Sequence, residues 1–396
     1  MSVSPLSGLQ VVDLTRHLPG PLAAHLLSDL GARVVKIEEP RRGDPVREAP
    51  PVREEIGALA ALLLSGVESV ALDLKQPMAQ EVLHRLLSRA DILLESFRPG
   101  TLERLGFAPE TLRERYPRLV ICSISGWGSE GPYAKRAGHD LTYQALAGTL
   151  ASTSADLAMP AVPVADLTGA WSAVTAILAA IVERERTGKG SRIDAALFDA
   201  GFHAGLTAWA AEAEGPKRVG QKLPLSGALP CYNLYRTADD HPMALAALEP
   251  HFWERFCKAA GRPNLIRRQY DGSLRARQLV QDLIGSRTRS EWMDLFARED
   301  IPAEPVLTPD QARQHPQAAE REMLRRGPDS LLRIGFPARI DGERPRSGDR
   351  VPRLGEHTQA VLEEVGIVEE MSRRERREAG IGPRFSWKRL YNKLFS

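Results

Sequence analysis

The 396-residue chain has no surplus of either charge: 53 Lys and Arg stand against 51 Asp and Glu. Proteins that bind nucleic acid or a membrane surface need a lopsided basic field, so neither class is expected here. Cysteine is scarce. Cys122, Cys231 and Cys257 are odd in number, far apart and never spaced as Cys-x-x-Cys. That excludes a disulfide framework and fits a reducing compartment. Long hydrophobic runs are missing as well. The longest, Ala170 to Val182, contains Ser and Thr and is too short to span a bilayer, so no integral membrane segment is expected. The N-terminus lacks a basic-then-apolar pattern, and the expectation is a cytoplasmic protein. The nine histidines show neither His-x-x-x-His nor His-Glu-x-x-His spacing, so no metal site is expected. A Gly-x-Ser-x-Gly elbow, a Walker loop, internal repeats and low-complexity segments are also lacking.

What is present suits a sizeable enzyme. Hydrophobic residues make up 43% of the chain, and its length predicts two lobes. Residues 8–14 read as a buried strand. Pro19-Gly20-Pro21 starts a helix through Leu30, with Gly31 as its C-terminal stop, and Val34 to Ile37 is a second strand. Further strands are expected at 70–74, 91–94 and 119–124, with helices at 78–89 and 109–115, and a Pro- and Arg-rich surface loop over 40–57. Alternation of this kind predicts an α/β doubly wound, Rossmann-like sheet. A dinucleotide site is rejected because the turn after the first strand lacks Gly-x-Gly-x-x-Gly. Arg16, Arg98 and the turn Gly126-Trp127-Gly128 all lie just past expected strand ends, where ligands of such sheets bind.

Downstream, a helix is expected from Thr168 to Arg186 and a short strand from Ile193 to Leu197. The domain boundaries follow: a large domain over 1–212, a linker over 213–230, a small α+β domain over 231–308 and a return to the large domain over 309–383. The small domain opens with a hairpin (232–235 and 243–248) and continues with helices at 251–260, 274–284 and 289–299. Residues 329–353 read as loop-rich, with closing helices at 356–365 and 371–379. The tail, 384–396, sets Trp387, Leu390, Tyr391, Leu394 and Phe395 at helical spacing, which reads as a helix docked on its own protein or a partner subunit.

Candidate chemistry concentrates between Gly138 and Asp166. Asp166 falls at or next to the N-cap of the helix expected from Thr168. Spacing alone gives it a capping role. The alternative is a carboxylate held at the positive end of a helix, as nucleophile or base. His139 reads equally as a structural histidine or a general base. Its neighbour Asp140 is not automatically its partner, because adjacent residues on a strand or helix do not face each other. Glu249, before Pro250, reads as a solvated strand-end carboxylate.

A series of segments resembles the family III CoA-transferases, most closely the alpha-methylacyl-CoA racemases among them. They are GLQVVDLT and GPLAAHLLSDLGARVVKIE, then VALDLK (70–75), ESFRPGTLERLG (95–106), SGWGSEGPY (125–133) and GHDLTY (138–143). RERTGKG (184–190), LYRTAD (234–239), ALEPHFW (247–253), PAEPVLT (302–308) and LGEHT (354–358) complete the order. The resemblance implies an interlocked homodimer and an acyl-CoA substrate, with coenzyme A entering as part of the substrate and no tightly bound cofactor. For the racemases it implies two bases on opposite faces of the α-carbon, Asp166 on one and His139, supported by Glu249, on the other. For the transferases it implies Asp166 as the nucleophile that attacks the thioester. Arg98 and Arg104 are implied as contacts to the CoA phosphates, with Lys75 nearby. Tyr143 is implied near the thioester, and Asp140 among the substrate-binding residues. Gly138-His139-Asp140, where many transferases have Gly-Tyr-Asp, puts the expectation on the racemase side. A CoA transferase and a non-catalytic CoA-binding subunit are the alternatives. The family's basic cluster before VALDLK is replaced here by Leu64-Ser65-Gly66-Val67-Glu68.

Overall fold

The computed structural model describes residues 4–53, 55–152, 158–215, 221–367 and 379–382. These form two compact units. One draws its segments from Met1–Ala147, Pro163–Ala204 and Gln317–Ser396, the other from Gly148–Val162 and Gly205–Pro316.

The first unit is built on six strands, β1 (Gln10–Asp13), β2 (Arg33–Glu38), β3 (Glu68–Ala71), β4 (Ile92–Glu95), β5 (Val120–Ser125) and β6 (Arg192–Ala196). Their order across the sheet is β3-β2-β1-β4-β5-β6, and every neighbouring pair is parallel. The chain reverses its direction of travel between β1 and β4, which creates a topological switch point at their carboxyl ends. Successive side chains alternate faces, so the two apolar cores separate by parity. Val11, Val34, Ile92, Leu94 and Val120 join one core, and Val12, Val35, Leu93 and Ile121 the other. Burial on both faces is why these strands read as continuous apolar runs.

Helix α1 (Pro19–Asp29) has proline at its start, and Gly31 follows its end at φ 101°. A conformation on that side of the map is easy for glycine alone. Helix α2 (Asp140–Leu146) and helix α3 (Val164–Thr187) follow later in the chain. At 24 residues α3 is long and apolar enough, by length and composition, to cross a membrane, a test that the core helix of a globular unit also passes. Its Ala170, Ala173, Val174 and Ile177 are buried in the sheet core. Its buried Arg184 pairs with Asp91 at 2.9 Å. Those contacts make it a core helix of this unit.

One expectation is corrected. Residues 40–57 are not simply a surface loop, because Asp44, Val46 and Arg47 are buried. Arg47 sends Nε and Nη2 to Glu38 at 2.7 and 2.6 Å, and this pair draws the segment inward. Residues 329–353 are loop-rich as expected, with one short strand, Leu332–Ile334, paired antiparallel with Leu324–Arg326. The stretch Leu64–Glu68 lies under the C-terminal return: the Ser347 hydroxyl donates to Ser65 O and Gly66 N–H to Arg350 O. Glu68 binds Arg33.

The second unit carries a three-stranded antiparallel sheet, with Pro242–Ala246 between Tyr232–Arg236 and Ala303–Pro305. Helices Pro250–Ala259, Leu274–Ile284 and Arg289–Glu299 pack Trp253, Phe256, Val280, Trp292 and Phe296 into its core. The expected tail helix (384–396), most of the helix expected at 371–379 and residues 216–220 of the expected linker lie outside the described residues.

Candidate active site

The carboxyl edge of the parallel sheet gathers the cations. After β1, Arg16 donates its N–H to Ser96 Oγ at 3.1 Å, and its guanidinium lies 5.8 Å from the Phe97 ring. The exits of β1 and β4 are thus tied together across the switch point. Glu95 accepts the Phe97 N–H at 2.8 Å and shapes the turn that presents Arg98, whose side chain is exposed. Gly100, at φ 82°, opens the helix Thr101–Arg104, and Arg104 donates to Thr101 Oγ1 at 2.7 Å. Lys75 follows β3 and is exposed, with its N–H bound to Asp73 Oδ1 at 3.3 Å. From the end of β3 to that of β5 is four inter-strand steps, about 19 Å, which suits a long, thin, anionic ligand.

Beneath this edge lies a buried charge cluster. Lys36 faces Asp13 across the β1–β2 pairing. Its Nζ lies 3.1 Å from Asp13, 3.1 Å from Asp44 and 2.8 Å from Thr15 O. Glu38 is buried too. Burial alone pushes its carboxyl up, but Arg47, Lys36 and Ser69 outweigh burial and hold it below the usual range.

The candidates between residues 138 and 166 come together around two helix starts. Helix α3 begins at Val164, earlier than expected, so Asp166 is its third residue and not its cap. The N-cap is Pro163, which forms no side-chain cap. The orphan backbone donor of the first turn is satisfied from elsewhere: Asp166 N–H donates to Asp140 Oδ1 at 3.1 Å, and Gln144 Nε2 donates to Asp140 Oδ2 at 2.5 Å. Asp140 therefore performs the capping that spacing had given to Asp166, and it holds Gln144 rather than His139. His139 is the N-cap of α2; its N–H reaches Thr142 Oγ1 at 3.1 Å, and the residue is exposed.

Asp166 has no cation paired with it among the described residues. Burial, then the charge of Asp140, pushes its carboxyl up to about 6. The helix N-terminus acts in the opposite direction and is outweighed. Burial also raises Tyr143 to about 12, with the charges of Asp166 and Asp140 adding to the shift and Arg98 opposing it. Arg98, Asp140, Tyr143 and Asp166 thus share one electrostatic neighbourhood. Close approach fixes Tyr143: a Cβ on Gly126 would meet its hydroxyl at 2.2 Å, and one on Gly138 its ring at 2.5 Å. Trp127 packs edge-on against Tyr143 at 4.8 Å, with Tyr133 at 5.1 Å and Phe198 at 5.8 Å, an apolar wall beside the carboxylates.

Glu249 belongs to the second unit, exposed at the N-cap of the helix Pro250–Ala259. Sequence reasoning passed over the Lys36 cluster, Glu95 and the aromatic wall. A signal for the first was available: Lys36 and Glu38 stand on the same strand face as Val34, alternating with the apolar Val35 and Ile37. Among the described residues, no group of His, Cys, Asp and Glu is arranged to hold a metal ion.

A family model described as CoA-transferase family III matches residues 6–358. The alpha-methylacyl-CoA racemase of Homo sapiens is 34% identical over 379 residues, covering 92% of this chain and 94% of that protein. The acetyl-CoA:oxalate CoA-transferase of Acetobacter aceti is 31% identical over 383 residues, covering 92% and 97%. Among solved structures, a CAIB/BAIF family protein from Brucella suis superposes with a TM-score of 0.80 at 30% identity, covering 92% of this chain and 100% of that one. With the parallel sheet, its cationic edge and the Asp140–Asp166 pair in place, the chain belongs to the CoA-transferase family III.

Proposed function

We propose that this protein acts on an acyl-CoA thioester and racemises the α-carbon of a 2-methylacyl group by two-base proton transfer. The observation that carries this reading is Asp166, a partly buried carboxyl raised to about 6, with His139 at the start of the helix whose first residue, Asp140, binds the Asp166 N–H. A general base works best when its pKa lies near the operating pH. At neutral pH Asp166 is mostly ionised and able to take the acidic α-proton, which leaves a thioester enolate. A proton delivered by His139 to the opposite face completes inversion, and the reverse reaction exchanges the two roles. One base alone would return the proton to the face it left.

In this reading Arg98, Arg104 and Lys75 hold the CoA phosphates, and Tyr143 and Asp140 lie beside the thioester. The working assembly is a homodimer, which light scattering in solution tests. Coenzyme A enters with the substrate. The test of the chemistry is incubation of a 2-methylacyl-CoA in deuterated water. α-Deuterium incorporation that both Asp166→Ala and His139→Ala reduce is expected; no incorporation by the unmodified enzyme defeats the racemase reading.

The relative from Acetobacter aceti favours a second reading, transfer of CoA between carboxylic acids. Here an Asp166 oxygen bonds to the thioester carbonyl carbon, the C–S bond breaks and the CoA thiolate leaves a mixed anhydride. Thiolate attack on the Asp166 carbonyl then gives an enzyme thioester and frees the first acid. A hydroxylamine-trapped, CoA-dependent adduct on Asp166, without α-deuterium exchange, selects this chemistry.

A further inference from the structure

The turn between β1 and α1 is held more firmly than a connection needs. Lys36 Nζ accepts no compromise in its placement: it binds Thr15 O at 2.8 Å and two buried carboxylates at 3.1 Å each. Asp44, one of those carboxylates, accepts the His17 N–H at 3.2 Å. Asp13 accepts both the Thr15 N–H and its hydroxyl, at 2.8 and 2.5 Å. Burying a lysine and two aspartates is weak support for stability, since apolar residues of similar volume serve as well or better. What the cluster does achieve is placement. It holds His17 in the left-handed region at φ 74°, a conformation that is uncommon for residues other than glycine and that gathers at functional sites.

The side chains so presented are both exposed. Arg16 forms no ion pair among the described residues, and its contacts are the Ser96 hydroxyl, through its backbone, and the Phe97 ring. His17 follows it at the entrance to α1, and the charges of Arg16 and His139 both reach it. An unpaired guanidinium and an imidazole therefore stand at the switch point, between the exits of β1 and β4.

We propose that the turn Thr15–His17 is an anion-recognition element, in which Arg16 and His17 take an anionic oxygen group of the thioester ligand. The chemistry is shared by a CoA phosphate and by a carboxylate on the acyl chain. The inference rests on the acyl-CoA reading above and adds two binding residues to it.

Calorimetric titration of the full chain with CoA, butyryl-CoA and succinyl-CoA tests it, using Arg16→Ala and His17→Gly. Glycine adopts φ 74° without strain, so His17→Gly keeps the turn and its melting temperature does not fall. Loss of one hydrogen bond to a charged group weakens binding by roughly tenfold to a hundredfold. Equal weakening toward all three ligands places the anion on CoA; weakening toward succinyl-CoA alone places it on the acyl chain. Either result supports the element. If both variants bind all three ligands within about twofold of the unmodified protein, the inference falls and the acyl-CoA reading stands. If the unmodified protein binds none of them, both fall.

Discussion

Glu38 and Asp166 are two acids of the same unit with opposite fates. Glu38 is buried among donors: Arg47, the Ser69 hydroxyl and the Asp44 N–H all reach its oxygens, at 2.6 to 2.9 Å. Asp166 is partly buried, with no cation paired to it among the described residues and with a second carboxylate beside it. Burial disfavours the charged form of both. For Glu38 the partners win and the carboxyl stays below its usual range. For Asp166 no cation among the described residues offsets burial, the helix N-terminus is outweighed, and the carboxyl rises to about 6. A partnered acid holds a fold together; an unpartnered one beside a ligand edge is available for chemistry.

The comparison is broken most severely by removing Asp166. Asp166→Ala should lower α-deuterium incorporation by roughly 10²- to 10⁴-fold while leaving the far-UV circular dichroism and the melting temperature close to those of the unmodified protein. Glu38→Gln should do the reverse. It leaves Arg47 buried beside a neutral group, a loss of about 3 kcal/mol, read as a lower urea midpoint. The contribution of Glu38 has a definite sign with pH. Because its carboxyl is held low, the stabilisation is present above the ordinary carboxylate range and is lost as pH falls below it. Acid titration of stability should therefore flatten in Glu38→Gln.

The two acids also differ in how far sequence revealed them. The parallel sheet was legible because strands buried on both faces read as apolar runs, and helices Leu274–Ile284 and Arg289–Glu299 matched their expected limits because Ser273 and Thr288 cap them through side-chain oxygens. Asp166 was singled out as a helix-start carboxylate, but its capping role belongs to Asp140, 26 residues earlier in the chain. No local pattern carries a hydrogen bond of that span. The Glu38–Arg47 pair was hidden for a related reason: a Pro- and Arg-rich stretch resembles a solvated loop until a buried acid nearby gives one arginine a reason to turn inward. The neighbourhood that joins Arg98, Tyr143 and Asp166 likewise needs the strand order, which places the exits of β4 and β5 side by side.

Asp140→Asn sharpens the contrast with a smaller effect. The amide oxygen still accepts the Asp166 N–H, so the helix start is kept while one of the two causes of the raised carboxyl is removed. The acid limb of the pH–rate profile for deuterium exchange should move to lower pH. An unmoved limb would show that burial alone sets the value.

The smallest expected effect is on stability. In the folded chain Asp166 binds its proton up to about pH 6, against an ordinary value of 3.8. Folding is therefore favoured by the neutral form below 3.8, and that advantage disappears as pH rises through 6. Above pH 6 the fold carries a partly buried charge, with no cation paired to it among the described residues, that Asp166→Asn removes. Discounted for solvent screening of a partly exposed group, the gain is about 1 kcal/mol at pH 7.5. Melting curves of the two proteins should separate at pH 7.5 and converge by pH 4. A variant that is more stable at neutral pH and inactive in exchange would identify Asp166 as a residue kept charged at the expense of the fold. Coincident melting curves at both pH values would mean that the carboxyl is better solvated than its burial implies, and the contrast with Glu38 would then rest on partners alone.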